Sequence, residues 1–157
     1  MGEVTIIGVD LAKNVFHLHG AAADGTVLFR EKLSRPQFLQ FMADHPRCLV
    51  AMEACGGSHF WAREMTRIGH EARLIAPIYV KPFVKRQKND AADAEAICEA
   101  VTRPTMRFVP VKSPEQQSVM VLHRTRSILI RQRIQISNAI RSHMAEFGMA
   151  AAVGRQG

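Results

Sequence analysis

Apolar positions run almost unbroken through Val4-Thr5-Ile6-Ile7-Gly8-Val9, and the run ends on Asp10. A β-branched segment that is apolar on both faces reads as a strand in the middle of a sheet. Leu11-Ala12-Lys13-Asn14 turns the chain, residues 15–20 resume as a second strand, and Asp24-Gly25 is a hairpin signal before a third strand at 26–33. The period then changes. Ser34-Arg35-Pro36 supplies an N-cap and a first-turn proline, and Phe38, Leu39, Phe41 and Met42 give the following helix an apolar stripe that His45-Pro46 stops. Residues 48–53 form a short apolar strand that again finishes on an acid, Glu53. Gly56-Gly57-Ser58 opens a helix through 59–68, Gly69 ends it, and 72–76 is a fifth strand. Pro77 starts a short helical piece, 81–88 is a basic and mobile connection, and an Ala-rich helix runs from Asp90 to about Val101. Residues 108–111 are extended or an edge strand.

Ser113-Pro114-Glu115-Gln116 places an N-cap, a proline and an acid at the start of one helix that continues to about residue 147. A helix of ~35 residues is about 50 Å long at 1.5 Å per residue, longer than a domain of this size. It is expected to extend beyond the core, to pair with another chain or lie along nucleic acid. The pattern therefore predicts an α/β platform at 1–112, built on a mixed five-stranded sheet flanked by helices. A basic helix at 113–147 and a disordered tail at 148–157 follow. In such a sheet the first strand lies centrally, and the fourth can enter parallel beside it through a right-handed crossover.

Charge sharpens this division. Residues 1–80 carry eight Lys/Arg and eight Asp/Glu, whereas 81–157 carry thirteen against six, which accounts for the whole net charge of +7. A neutral half followed by a basic half suggests a folded platform with a side that faces a polyanion, with a merely solubilising surface as the plainer reading. Cys48, Cys55 and Cys98 are widely spaced with no C-x-x-C, which points to reduced thiols and not to a disulfide frame or a zinc site. Cys55 is assigned to packing because no base is placed for it. No apolar segment approaches the roughly 20 residues needed to span a bilayer, and no signal peptide is expected, so the expected location is the cytoplasm.

The candidate chemistry lies in four acids. Asp90 and Asp93 leave one face of a helix a turn apart, where like charges repel unless a cation lies between them. Acids near a helix start also favour its dipole, so the pair alone has a structural reading. Asp10 and Glu53 each stand where a strand ends, and ligands of open α/β sheets gather at the carboxyl ends of parallel strands. If the four meet there, Mg²⁺ or Mn²⁺ suits them, because hard cations take oxygen ligands. A metal pair promotes phosphodiester displacement. Lys81, Lys85, Arg86 and Lys88 precede the acidic helix and would hold a strand backbone against such ions, and Arg124, Arg126, Arg131 and Arg133 are spread along the long helix. Lys13 reads as a solvated charge, an Asp10 partner or a nucleic-acid contact. His17 and His19 share one strand face without a third ligand and read as surface histidines.

Gly8-Val9-Asp10-Leu11-Ala12-Lys13, Glu53-Ala54-Cys55-Gly56 and Lys88-Asn89-Asp90-Ala91-Ala92-Asp93-Ala94 together resemble the DEDD transposases of bacterial insertion sequences related to the Piv DNA invertases. That family's N-terminal domain is similar to the RuvC resolvase, an RNase H-like fold. The resemblance implies that Asp10, Glu53, Asp90 and Asp93 form a catalytic tetrad that binds Mg²⁺ (or Mn²⁺) and that DNA is the partner. It also implies that the long helix assists homo-oligomerisation. Some members are guided by an RNA encoded in the element, so RNA joins DNA as an expected partner. Family members continue into a domain with a Ser nucleophile that this sequence does not include, so the fragment is expected to be inactive alone. Two other readings compete: a non-catalytic nucleic-acid-binding or assembly module, and an actin-like or sugar-kinase-like ATPase fragment. The latter needs a Gly/Thr-rich phosphate hairpin where this chain has Leu11-Ala12-Lys13-Asn14.

Overall fold

The computed structural model describes residues 3–84 and 90–151, the side chain of Asp90 excepted. The opening run becomes β1 (Ile6–Leu11), followed by β2 (Val15–Ala21) and β3 (Val27–Ser34). These three form an antiparallel meander. After α1 (Arg35–Asp44), β4 (Leu49–Glu53) lies parallel to β1; after α2 (Ser58–Arg67), β5 (Glu71–Ile75) lies parallel to β4. The expectation of five strands is corrected by one. Phe108–Val109 forms a two-residue β6 antiparallel to β5, giving the order β3-β2-β1-β4-β5-β6. Pro110 immediately follows and has no amide N–H to offer the ladder, which keeps this edge strand short.

The sheet has two covered faces, and the alternation of side chains sorts residues between them. Ile7, Val9, Val50 and Met52 face α1 and α2, where Phe16, Phe38 and Trp61 pack edge to face with ring centroids 5.1, 5.2 and 5.4 Å apart. The residues between them, Ile6, Leu49 and Ala51, pack on the other side with α3 (Pro77–Val80), the 3₁₀ turn Lys81–Phe83 and α4 (Asp90–Val101). The expected mobile connection therefore begins with ordered helical turns. Residues 85–89, which include Lys85, Arg86 and Lys88, lie outside the described residues.

His19 is buried, which corrects its reading as a surface residue: β2 is covered where it crosses under α4. His70 is buried too, and its Nδ1 accepts the Cys48 amide N–H at 3.3 Å. The ring proton therefore sits on Nε2, which donates to the Met42 carbonyl at 2.8 Å and ties the end of α1 to the start of β4. His70→Leu leaves the Cys48 amide buried without this acceptor and is expected to cost about 1–3 kcal/mol, read as a lower urea midpoint.

Residues Met1–Lys112 form one compact unit and Ser113–Gly157 a second. The second is dominated by α5 (Pro114–Glu146), whose first turn is closed by a capping box between Ser113 and Gln116. Gly148, with φ 73°, ends it. The expected disordered tail at 148–157 falls largely on residues 152–157, outside the described residues. Among the described residues, no helix is long and apolar enough to cross a membrane.

Candidate active site at the strand ends

The β1–β4 ladder runs in register from Ile6↔Leu49 to Val9↔Met52. Asp10 and Glu53 are the next residue on each strand, so both acids stand at the same edge, on strands about 4.8 Å apart. Two residues before Asp10, Gly8 faces α4: a Cβ built there would overlap the Ala94 carbonyl oxygen and lie 2.9 Å from the Cys98 Cβ. Two residues before Glu53, Ala51 packs with Ile97 and Ala100 of the same helix. Because side chains alternate, Asp10 and Glu53 share the face that α4 covers. The absence of bulk at Gly8, Ala51, Ala94 and Ala100 lets the helix approach the sheet closely.

Ala94 and Cys98 straddle Gly8, so the preceding turn of α4, with Asp93, extends toward the acidic ends of β1 and β4. Asp93 is half-buried there. Its charge reaches Glu53: burial first, and the negative charge of Asp93 second, push the Glu53 carboxyl above its ordinary value, while Lys81 opposes the shift. Lys81 is exposed at the start of the 3₁₀ turn. Cys55 follows β4 and is half-buried; its thiol is pushed up by burial, then by Glu53 and then by Asp10. That thiol is held protonated at neutral pH, and Cys48 and Cys98 are each raised by burial to about 11. None of the three is therefore poised as a nucleophile.

Asp10, Glu53 and Asp93 are thus brought into one electrostatic neighbourhood. Among the described residues, no group of three or more His, Cys, Asp or Glu is close enough to hold a metal ion as placed. Asp90 begins α4 one turn before Ala94, but its side chain is not among the described residues. Lys13 is exposed in the turn after β1. Arg124, Arg126, Arg131 and Arg133 are exposed on α5, in the second unit. Two features were not read from the sequence: the proximity of Cys55 to both acids and the seat of α4 on Gly8. A glycine inside a strand is itself a signal that another backbone approaches closely.

The model of the transposase family DEDD_Tnp_IS110 matches residues 7–149. The chain belongs to this transposase family. Membership displaces the ATPase reading. A "Probable family 20 transposase" of Pseudomonas aeruginosa is 55% identical to this IS110-family chain over 145 residues, 92% of this chain and 43% of that protein. The "Transposase for insertion sequence element IS1328" of Yersinia enterocolitica is 48% identical over 150 residues, 96% of this chain and 45% of that protein. The chain spans less than half the length of these curated relatives. Among solved structures, T. thermophilus RuvC in complex with a Holliday junction substrate is similar, with a TM-score of 0.49 at 13% identity, over 68% of this chain and 100% of that chain.

Proposed function

We propose that residues 1–112 are the metal-dependent catalytic domain of an insertion-sequence transposase that acts on DNA phosphodiesters. The observation that supports this best is that Asp10 and Glu53 stand side by side at one sheet edge, where burial and then the charge of Asp93 raise the proton affinity of Glu53. Crowded, partly desolvated carboxylates are unfavourable without a cation, and their oxygens are the donors that Mg²⁺ or Mn²⁺ takes. In this reading Asp10, Glu53, Asp90 and Asp93 hold the ions. Bound there, such ions would activate an attacking oxygen and stabilise the leaving one in phosphodiester displacement. Lys81, together with Lys13, Lys85, Arg86 and Lys88, holds the DNA backbone at the acids.

The long helix α5 would serve assembly and nucleic-acid contact. Leu122, Leu129 and Ile136 recur every seven residues and are 69%, 59% and 60% exposed, a stripe suited to a second copy of the chain. Arg124, Arg126, Arg131 and Arg133 add backbone contacts to DNA or to a guide RNA. Strand transfer is assigned to the full-length transposase, with a Ser nucleophile beyond this span, acting in the cytoplasm. The second reading, a nucleic-acid-binding or assembly module without catalysis, draws on the lack of a ready metal-holding group among the described residues.

Calorimetric titration with Mn²⁺ separates the two. Saturable binding that Asp10→Ala removes supports the catalytic reading, whereas no binding, or binding that Asp10→Ala leaves unchanged, supports the module. DNA affinity is also expected to fall steeply with salt, roughly 10³-fold or more between 50 and 200 mM if six or more phosphates are contacted. An affinity independent of salt would contradict the assigned basic residues.

A further inference from the structure

We propose that a cleft lined by Tyr79, Pro82, Phe83, Arg103, Met106 and Arg107 seats an unpaired nucleotide of the DNA strand presented to Asp10 and Glu53. This rests on the function assigned above to those acids. The cleft holds about 550 Å³, within the roughly 300–1,000 Å³ of small-molecule sites. Its wall is aromatic. Tyr79 comes from α3 and Phe83 from the 3₁₀ turn, four residues apart along nearly continuous helical backbone. Phe83 packs by one side on the Ile97 cluster, while Tyr79 is 43% exposed.

Its charge is basic. The Arg103 guanidinium carbon lies 5.2 Å from the centroid of the Phe83 ring, so this cation is already stacked on an aromatic face. Glu99 holds it there through a 2.5 Å bond to Nη2 and partly offsets its charge. Arg107 is exposed and adds a second cation. Among the described residues, no acid lines the cleft. By contrast, the cavity between β2, β3 and α4 is lined by Glu95 and Glu99 and has the wrong sign for a polyanion.

The position ties the cleft to the acids. Pro82 and Phe83 belong to the same three-residue turn as Lys81, and Phe83 packs on the cluster that contains Ala51, two residues before Glu53, and Ile75, the partner of Glu53 in the β4–β5 ladder. A strand held by a phosphate at Lys81 would lead past Phe83, two residues along the same turn. Aromatic faces joined to arginines, without a set of base-reading amides, form a sequence-tolerant platform for unstacked bases. A base still paired in a duplex is stacked between its neighbours and cannot enter. The site thus selects DNA that is locally open beside the phosphodiester.

The test uses the full chain in EDTA, which takes metal binding out of the measurement. Fluorescein-labelled single-stranded DNA of about 12 nucleotides, within the length range that such platforms cover, is the probe in fluorescence anisotropy. Loss of one stacked base in Tyr79→Ala is expected to weaken binding about 5- to 150-fold. Duplex of the same sequence should change less than about twofold, since its binding is carried by phosphate contacts. Tyr79→Phe should restore single-strand affinity. Because Tyr79 is exposed, an unchanged melting curve is expected for both variants. Irradiation of the strand carrying 5-iododeoxyuridine should cross-link Tyr79 or Phe83. The proposal is overturned by an unchanged single-strand affinity in Tyr79→Ala, by equal loss for duplex, by cross-links confined to α5, or by binding of RNA and not DNA. Tyr79-dependent binding that persists while Mn²⁺ fails to bind would remove the catalytic reading and leave the cleft in place. Mn²⁺ binding without Tyr79-dependent DNA binding would do the reverse.

Discussion

Asp93→Asn is expected to raise the melting temperature of the metal-free chain at neutral pH and to remove most of its stabilisation by Mn²⁺. The sign follows from Glu53, whose carboxyl is raised by burial and then by Asp93, against the pull of Lys81. A raised folded-state pKa means the folded chain holds that proton more tightly than the unfolded chain, for which the ordinary value is about 4.3. Below that value the proton is bound in both states and Glu53 brings no penalty. As pH climbs through the folded-state value, ionisation works against the fold, and the penalty persists at pH 7. Removing the Asp93 charge relieves part of it, and Glu53→Gln relieves all of it. The gain in melting temperature should therefore shrink as pH falls into the carboxylate range. With metal the order inverts. Wild type at 100 times its Kd gains about 2.7 kcal/mol, and a loss of affinity on the order of 100-fold in the variant would take most of that away. A lower metal-free melting temperature in Asp93→Asn, together with an undiminished Mn²⁺ response, would sink the crowded-acid account.

Gly8→Ala is expected to destabilise the chain by about 1–3 kcal/mol, the cost of forcing extra volume into a packed contact. The added Cβ would overlap the Ala94 carbonyl oxygen and sit 2.8 Å from the Cys98 nitrogen, both backbone atoms that cannot swing aside. The helix α4 must move, and Asp93 moves with it. Mn²⁺ affinity should then fall along with the urea midpoint, although no acid has been altered. Where space allows, the same exchange stabilises by about 0.4–1 kcal/mol through the unfolded chain, so the two cases differ in sign. Gly56→Ala is the control, since nothing lies within 4 Å of a Cβ there. A Gly8→Ala chain as stable as the control variant would mean that α4 does not rest on β1 as described.

Much of this architecture is legible in the amino-acid sequence. The six-residue run that became β1, the capped starts of α1 and α5, and the acids at the carboxyl ends of β1 and β4, the last residue of β4 and the last but one of β1, are local patterns, and local patterns are what short-range sterics and side-chain periodicity express. The two-residue β6 was not separable from extended chain, because a strand that short is defined by its partner and not by its own residues. The burial of His19 was also missed. Alternation along β2 places His17 and His19 on one face, but not what covers it, and α4 arrives there from residues far along the chain.

The candidate site divides in the same way. By itself the sequence determined that Asp10 and Glu53 end strands, that Asp90 and Asp93 open a helix, and that the charge excess lies in the second half; its motifs also pointed to the transposase family. Only the tertiary structure decided that α4 lies with Ala94 and Cys98 over Gly8, so that Asp93 reaches Glu53, and that Tyr79 and Phe83 line one cleft with Arg103 and Arg107. The reason is physical. The charge on Asp93 acts on Glu53 through the distance between them, and for residues forty positions apart the close fit of small side chains between helix and sheet sets that distance, not any pattern local to either segment.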